Sequence, residues 1–205
     1  MNRLLRSVLF ALLVAFAGAL TARAEDPTAT KDPAPPKTGF RAEVIGQLNF
    51  AEKRITDLAN AVPAEKYSWR PEDGVRSVGE VYVHIAGSNY FFGTFLGVKP
   101  PMKMDPDMEK KVTDKTEIVN LIKPSFDHFR SIVLHMSDKD LDKTTKMFGM
   151  TSTYRNVLVT AIGHMHEHLG QSIAYARMNG VVPPWTAEQQ AAEKKEMGNM
   201  QKKAD

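Results

Sequence analysis

Six histidines stand in this 205-residue chain: His84, His128, His135, His164, His166 and His168. His164 and His168 are four positions apart, which on a helix puts both imidazoles on one side. A neutral imidazole nitrogen is a good ligand for zinc, nickel, iron or copper. A pair at this spacing can share one ion, as in the helical HExxH zinc motif, and a third imidazole from another helix would close a facial triad. The remaining positions would then be open to water or substrate, the mark of a catalytic rather than a structural site. The competing reading is three core histidines satisfied by their neighbours, since HxxxH alone is a weak motif. Burying three unpartnered imidazoles is costly, and that cost favours a shared ion.

The elements that must position these residues follow from apolar periodicity, which predicts four helices. The first runs from about Phe40 to Val62, with Val44, Leu48, Ala51, Ile55, Leu58 and Val62 on one stripe, and Pro63 ends it. The second starts at Ser77-Val78-Gly79-Glu80, which has the form of a capping box, and ends near Gly97. Its stripe is Val81, His84, Ile85, Ser88, Phe92 and Phe95. The third starts at Asp114 and carries Ile118, Ile122, Phe126, Phe129, Val133 and Met136. Pro124 inside it predicts a kink or a break. The fourth spans about Ser152 to Asn179, with Val157, Ala161, His164, His168, Ser172 and Tyr175 on one face. Gly180, Pro183 and Pro184 stop it. Strand signals are almost absent, so the expected class is all-α, a four-helix bundle. Its connections, roughly 14 to 17 residues, are long for a bundle. One of them carries Met102, Met104 and Met108, and another predicts a turn of helix at Ser137–Leu141. His84, His164 and His168 thus all lie on inward stripes, and these three are the candidate metal ligands.

The other polar residues are read differently. His166 is two positions from each neighbour and should point away from them, to the surface. The alternative, a loop-borne copper tract in His164-Met165-His166-Glu167-His168 assisted by the methionines at 102–108, conflicts with the helical period on both sides. His128 and His135 sit off the main stripe of the third helix. Glu80, four residues before His84, could act as base or partner, but the capping box already gives it a structural role. Asn89, Tyr90 and Tyr154 could reach a pocket, although nothing in the sequence fixes them there. No catalytic acid or base can be named.

Composition bounds the rest. With no cysteine, disulfide scaffolds, thiolate zinc sites and cysteine nucleophiles are excluded. The net charge of +3 belongs to Arg3, Arg6 and Arg23, and the remainder of the chain is balanced. A balanced chain lacks the general attraction to phosphate backbones that nucleic-acid binding needs. Residues 1–24 read as a cleavable leader: basic start, uncharged run from Val8 to Leu20, and Ala22-Arg23-Ala24 before a cut at Glu25. The run is short for a membrane anchor. The expected location is therefore periplasmic or secreted, with no stable membrane anchor after cleavage. Residues 25–39 are rich in Pro, Thr and charge and read as a disordered linker, 40–185 as the bundle, and 186–205 as a polar tail, a frayed helix or disordered.

His164-x-x-x-His168-x-Gly170-Gln171, followed by Ala176-Arg177-x-x-Gly180 and Pro183-Pro184, resembles the last helix of the DinB-like family. Trp69-Arg70-Pro71 leading into Ser77-Val78-Gly79-Glu80 and His84 resembles the approach to that family's second helix. The resemblance spans roughly residues 40–185. It implies a four-helix bundle, often a homodimer, holding a divalent metal through His84, His164 and His168. Zinc or nickel is the first expectation, with iron, manganese or copper as alternatives. The resemblance also implies that Gly170 permits close helix packing and that Gln171 orients a ligand or a backbone group. Some relatives are transferases or isomerases that use low-molecular-weight thiols, and the leader sets this chain apart from a cytosolic thiol. Three functions compete: a metal-dependent hydrolase or group transferase acting on a small molecule, a non-catalytic metal- or small-ligand-binding protein in stress response or metal handling, and a dimerisation module with a vestigial triad.

Overall fold

The computed structural model describes residues 32–204. The leader, its cut before Glu25 and the first part of the linker lie outside these residues. Asp32 to Gly39 forms neither helix nor strand, in keeping with the composition of 25–39.

Four long helices make the bundle: α1 (Phe40–Ala61), α2 (Val78–Phe95), α4 (Lys115–His135) and α5 (Tyr154–Met178). Between α2 and α4 lies a single-turn helix, α3 (Met108–Lys111), and a last helix, α6 (Pro184–Ala204), follows α5. The starts are written locally. Ser77 and Glu80 form the reciprocal capping box of α2, Asp114 caps α4 through the Glu117 N–H, and Thr153 caps α5 through the Asn156 N–H. Most of the inward-facing apolar residues are fully buried, with Leu48, Ile55, Leu58, Ile85, Ile122, Phe126, Phe129 and Leu158 all at 0% exposure. Each such side chain contributes about 1.5–3 kcal/mol of hydrophobic stabilisation.

Two pairs of consecutive long helices are not adjacent in space. Both α1 and α2 pack against α4 and α5, so α1 and α2 face each other diagonally, and so do α4 and α5, whereas α2 and α4 are direct neighbours. The α1–α2 and α4–α5 connections must therefore cross an end of the bundle rather than turn to a neighbour. The arrangement also makes α2 and α5, which carry the three histidines, direct neighbours.

Three expectations need correction or completion. The break at Pro124 does not occur, and α4 is continuous through it. Pro124 and Asn120 are both exposed, so the Asn120 carbonyl that loses its helical partner faces water. The connection from α4 to α5 contains the expected short helical turn at Asp138–Asp142 and, unexpectedly, a two-stranded antiparallel hairpin, β1 (Thr144–Met147) with β2 (Met150–Thr153). Its turn is Phe148-Gly149, both at positive φ (50 and 80°), a two-residue reversal that suits the strand twist. The polar tail is helical: α6 is anchored at Trp185, over which the Arg54 guanidinium sits 4.3 Å from the ring centre. Among the described residues, no helix is long and apolar enough to cross a membrane.

Candidate metal centre

The capping box sets where α2 starts, and Arg70 pins it further through an ion pair to Glu80 at 3.1 Å. Glu80 is therefore occupied at the helix start and gives His84 nothing. Two turns on, His84 projects towards α5, where His164 and His168 project back. One nitrogen from each of the three imidazoles lies within 4.8 Å of the other two. His84 Nε2 and His164 Nε2 are 3.0 Å apart, and the ring centres are separated by 5.0, 4.6 and 4.4 Å. The convergence expected from the two stripes is present in the fold.

The surroundings decide which nitrogens face inward. His84 Nδ1 lies 2.7 Å from a Glu109 carboxylate oxygen, which can only accept, so Nδ1 carries the proton and the Nε2 lone pair faces the shared space. Arg76 holds the same carboxylate, Nε to Oε2 at 2.6 Å. His168 Nδ1 donates to Gln171 Oε1 at 2.8 Å, and the Gln171 amide in turn donates to the Tyr175 hydroxyl at 3.0 Å. Its Nε2 is likewise left free to coordinate. The Nδ1 of His164 is buried and has no hydrogen-bond partner among the described residues.

Burial disfavours the charged form of two of these rings, His164 and His84. Burial pushes the His164 imidazole down to about 4, and the neighbouring His168, His84 and Arg76 push the same way. Burial also lowers His84, partly offset by Glu109. Burial pushes the Glu109 carboxyl up, but hydrogen bonds from Arg76 and His84 outweigh it and hold the group below its usual range. Imidazoles backed by a carboxylate and an amide suit a borderline-soft divalent ion. Zinc bonds to imidazole are about 2.0–2.1 Å, which places tetrahedral nitrogens about 3.3 Å apart. The 3.0 Å pair is close to that spacing, and all three nitrogens lie within 4.8 Å of one another. The donor set therefore fits a zinc- or nickel-like ion.

The remaining sequence candidates are placed elsewhere. His166 points away from the triad as expected, but it is half-buried against α1, stacked on Phe50 at 5.8 Å and 2.9 Å from Gln47 Oε1. The 164–168 run lies wholly within α5, so a loop-borne tract is excluded. His128 stacks on Tyr90 at 5.2 Å, and His135 sits exposed at the end of α4. Asn89 is buried in a hydrogen bond to Ser125. Tyr154 lines a cavity with His128 and Lys143 that includes none of the three histidines. Gly170 does not mediate close packing, because a Cβ there would meet open space. Gln171, by contrast, does orient a candidate ligand. Sequence reasoning missed Glu109 and Arg76. Both lie in connecting segments without periodicity, and the only sequence cue was an acidic residue beside Met108.

His84 and Glu109 also line a cavity of about 440 Å³ between α2 and the segment that leads into α3. The triad thus has accessible space beside it.

Comparison with known proteins agrees with this architecture. The family model of the DinB superfamily matches residues 47–172. The chain is 27% identical over 135 residues to the uncharacterized protein YjoA of Bacillus subtilis (strain 168), covering 64% of this chain and 86% of that one. A DinB-like protein of Bacillus cereus ATCC 10987 superimposes with a TM-score of 0.62 at 20% identity, over 69% of this chain and 93% of the other. YfiT of Bacillus subtilis, described as a probable metal-dependent hydrolase with an unusual four-helix bundle topology, gives 0.56 at 15% identity, over 74% and 95%. At such identities the structural likenesses speak for the fold alone. The family match, which covers more than half of the sequence and spans two of the four helices completely, establishes the assignment: the chain belongs to the DinB superfamily.

Proposed function

We propose that this is an exported DinB-superfamily protein that holds a divalent metal ion through His84, His164 and His168 and uses it in hydrolysis or group transfer on a small molecule. The observation that carries the proposal is the convergence of three imidazoles whose outer nitrogens are, in two cases, already tied to Glu109 and Gln171. The description of YfiT as a probable metal-dependent hydrolase supports the same reading. When bound, such an ion supplies a Lewis acid and an acidified nucleophile near neutral pH. The chain's own residues do the positioning: Glu109 holds the proton at His84 Nδ1, Arg76 keeps Glu109 ionised, and Gln171 fixes the plane of His168. The leader at residues 1–24 supports a periplasmic or secreted location, the balanced charge of the rest supports a small-molecule rather than a nucleic-acid partner, and a homodimer belongs to the same reading.

A second reading is a non-catalytic metal- or small-ligand-binding protein. What favours it is the approach of two thioether side chains: the methyl groups of Met108 and Met104 would lie 3.5 and 3.7 Å from a Cβ at Gly87, one turn from His84. Elemental analysis of protein purified without chelator tests the metal reading. The expected result is close to one ion per chain in the native protein and loss of that ion in His84→Ala. Ligand exchange at the ion separates the two functions: exchangeable water supports the enzyme, whereas an ion closed off by thioethers supports the binding protein.

A further inference from the structure

Along one face of α2, His84, Gly87, Ser88, Phe91 and Thr94 line a single cavity of about 440 Å³. His84 and Thr94 are separated by about 15 Å of helix, so the cavity is an elongated groove that starts at a candidate metal ligand. Pro100, Met104, Pro106 and Met108, from the connection between α2 and α4, line it from the other side. The groove is slim over Gly87. A Cβ there would already stand 3.5 and 3.7 Å from the methyl groups of Met108 and Met104, and the unbranched thioether chains are the part of the wall that can swing aside. Both carboxylates and the threonine hydroxyl in the lining are engaged by their neighbours. Asp105 holds Lys111 at 2.7 Å, Glu109 holds Arg76 and His84, and the Thr94 hydroxyl donates to the Phe91 carbonyl at 2.6 Å. Away from His84, Phe91 is 48% exposed, and the groove opens to water there.

From this layout we infer that the substrate is an amphiphile, with a small donor head that binds the ion at the three histidines and an unbranched hydrocarbon tail that lies along α2 towards Thr94. The inference rests on the metal-site reading and adds a substrate class to it. A divalent ion on His84 puts positive charge at that end of the groove, so a head with a lone pair or a negative charge is drawn there. Beyond His84 the walls are largely thioether, proline and phenyl surface, and burial against them favours methylene groups. A second charge on the tail would give up water for groups that are already paired. The slim slot over Gly87 favours a chain over a ring, because a chain needs only the thickness of one methylene.

Calorimetric titration of the zinc-loaded protein with straight-chain hydroxamates tests this, because the zinc-binding head stays constant while the tail grows. Octanohydroxamate should bind at least about tenfold more tightly than acetohydroxamate, the gain that burying part of the tail brings. Cyclohexylacetohydroxamate, which has as many carbons but closes most of them into a ring, should bind more weakly than octanohydroxamate. In Gly87→Leu the ratio between the long and the short ligand should fall towards one. Phe91→Asp changes an exposed position, so it keeps the test open should Gly87→Leu fail to fold, and it should lower the same ratio. Metal-free protein should bind octanohydroxamate at least about tenfold more weakly than loaded protein. A ratio near one in the native loaded protein, a ring bound as tightly as the chain, a ratio unchanged in every variant that folds, or equal binding to metal-free protein would each overturn the inference. Zinc measured in the same samples keeps the two readings apart: a loaded protein with a flat series loses the tail and keeps the metal site, whereas a native protein that binds no zinc loses both.

Discussion

The half of the core built by α1 and α4 is fully buried, whereas the cluster between α2 and α5 is partly exposed and made of different material. Leu48, Ile55, Leu58, Phe126 and Phe129 are fully buried hydrocarbon, and the charge pair that links α1 to α4, Arg130 with Glu52, sits at the edge of that core. Between α2 and α5, three imidazoles share the interior with Phe92, whose ring lies 5.5 Å from that of His164. The first region holds the fold together. The second places polar groups where hydrocarbon would be more stabilising, a cost that the proposed ion would offset. The lesson is a division of labour: substitutions in one region should change stability, and substitutions in the other should change metal affinity.

The largest separation of the two should come from the hydrocarbon side. Phe126→Ala should cost about 3–5 kcal/mol of stability, read by chemical denaturation, because a large ring is lost from a fully packed site. Zinc bound per folded chain should be unaffected. If the same substitution abolished zinc binding in folded protein, the two regions would not be independent.

On the histidine side the expected changes are in affinity. Glu109→Gln should weaken zinc binding by about 10- to 100-fold, since it removes the anionic acceptor behind His84. Gln171→Ala, which leaves His168 without its amide acceptor, should fall at the lower end of that range. Competition with a chromophoric chelator measures both. Neither substitution should lower the denaturation midpoint of the metal-free protein as Phe126→Ala does.

A pH series sharpens the contrast. His164 in the folded protein titrates about 4, below the ordinary value of roughly 6.5 for an unfolded chain. Between those two values the unfolded state binds the extra proton, so metal-free stability is retained above about pH 6.5 and falls as pH drops towards 4. His164→Ala should flatten this dependence, and Phe126→Ala should only displace it downward. Protons also compete directly with the ion for imidazole nitrogen, so zinc occupancy should fall on acidification.

The smallest effect belongs to an exposed ion pair on α1. Lys53→Ala, which removes the pair to Asp57 at 2.6 Å, should cost about 1 kcal/mol or less and should leave zinc affinity as it was.

How much of this was legible in the sequence differs between the same two regions. The stripe of α1 and the facing residues of α4 follow from a 3.6-residue period, and every residue named on them is buried. The period also put His84, His164 and His168 on inward faces, and the Ser77–Glu80 cap fixed where α2 begins. Periodicity tells which face is buried and not against what. The diagonal placement of α1 and α2, which makes α2 and α5 neighbours, therefore depends on packing. Glu109 was invisible for a related reason: it reaches His84 from a single-turn helix in an aperiodic connection, so only tertiary structure brings it there. The hairpin after α4 was missed because four-residue strands are too short for a period to show. Its one cue is Phe148-Gly149 among threonines, and its strands pair with each other rather than with a larger sheet. Pro124 does not break α4 because a proline on the wet face of a helix frees a carbonyl that water can satisfy.

The claim on which the account depends is that one ion sits among three imidazoles. X-ray absorption at the zinc edge of stoichiometrically loaded protein tests it most directly. The account predicts three imidazole nitrogens at about 2.0–2.1 Å with a further exchangeable light-atom ligand, and loss of one imidazole from that shell in His84→Ala. A shell dominated by sulfur, or one unchanged by His84→Ala, would contradict it.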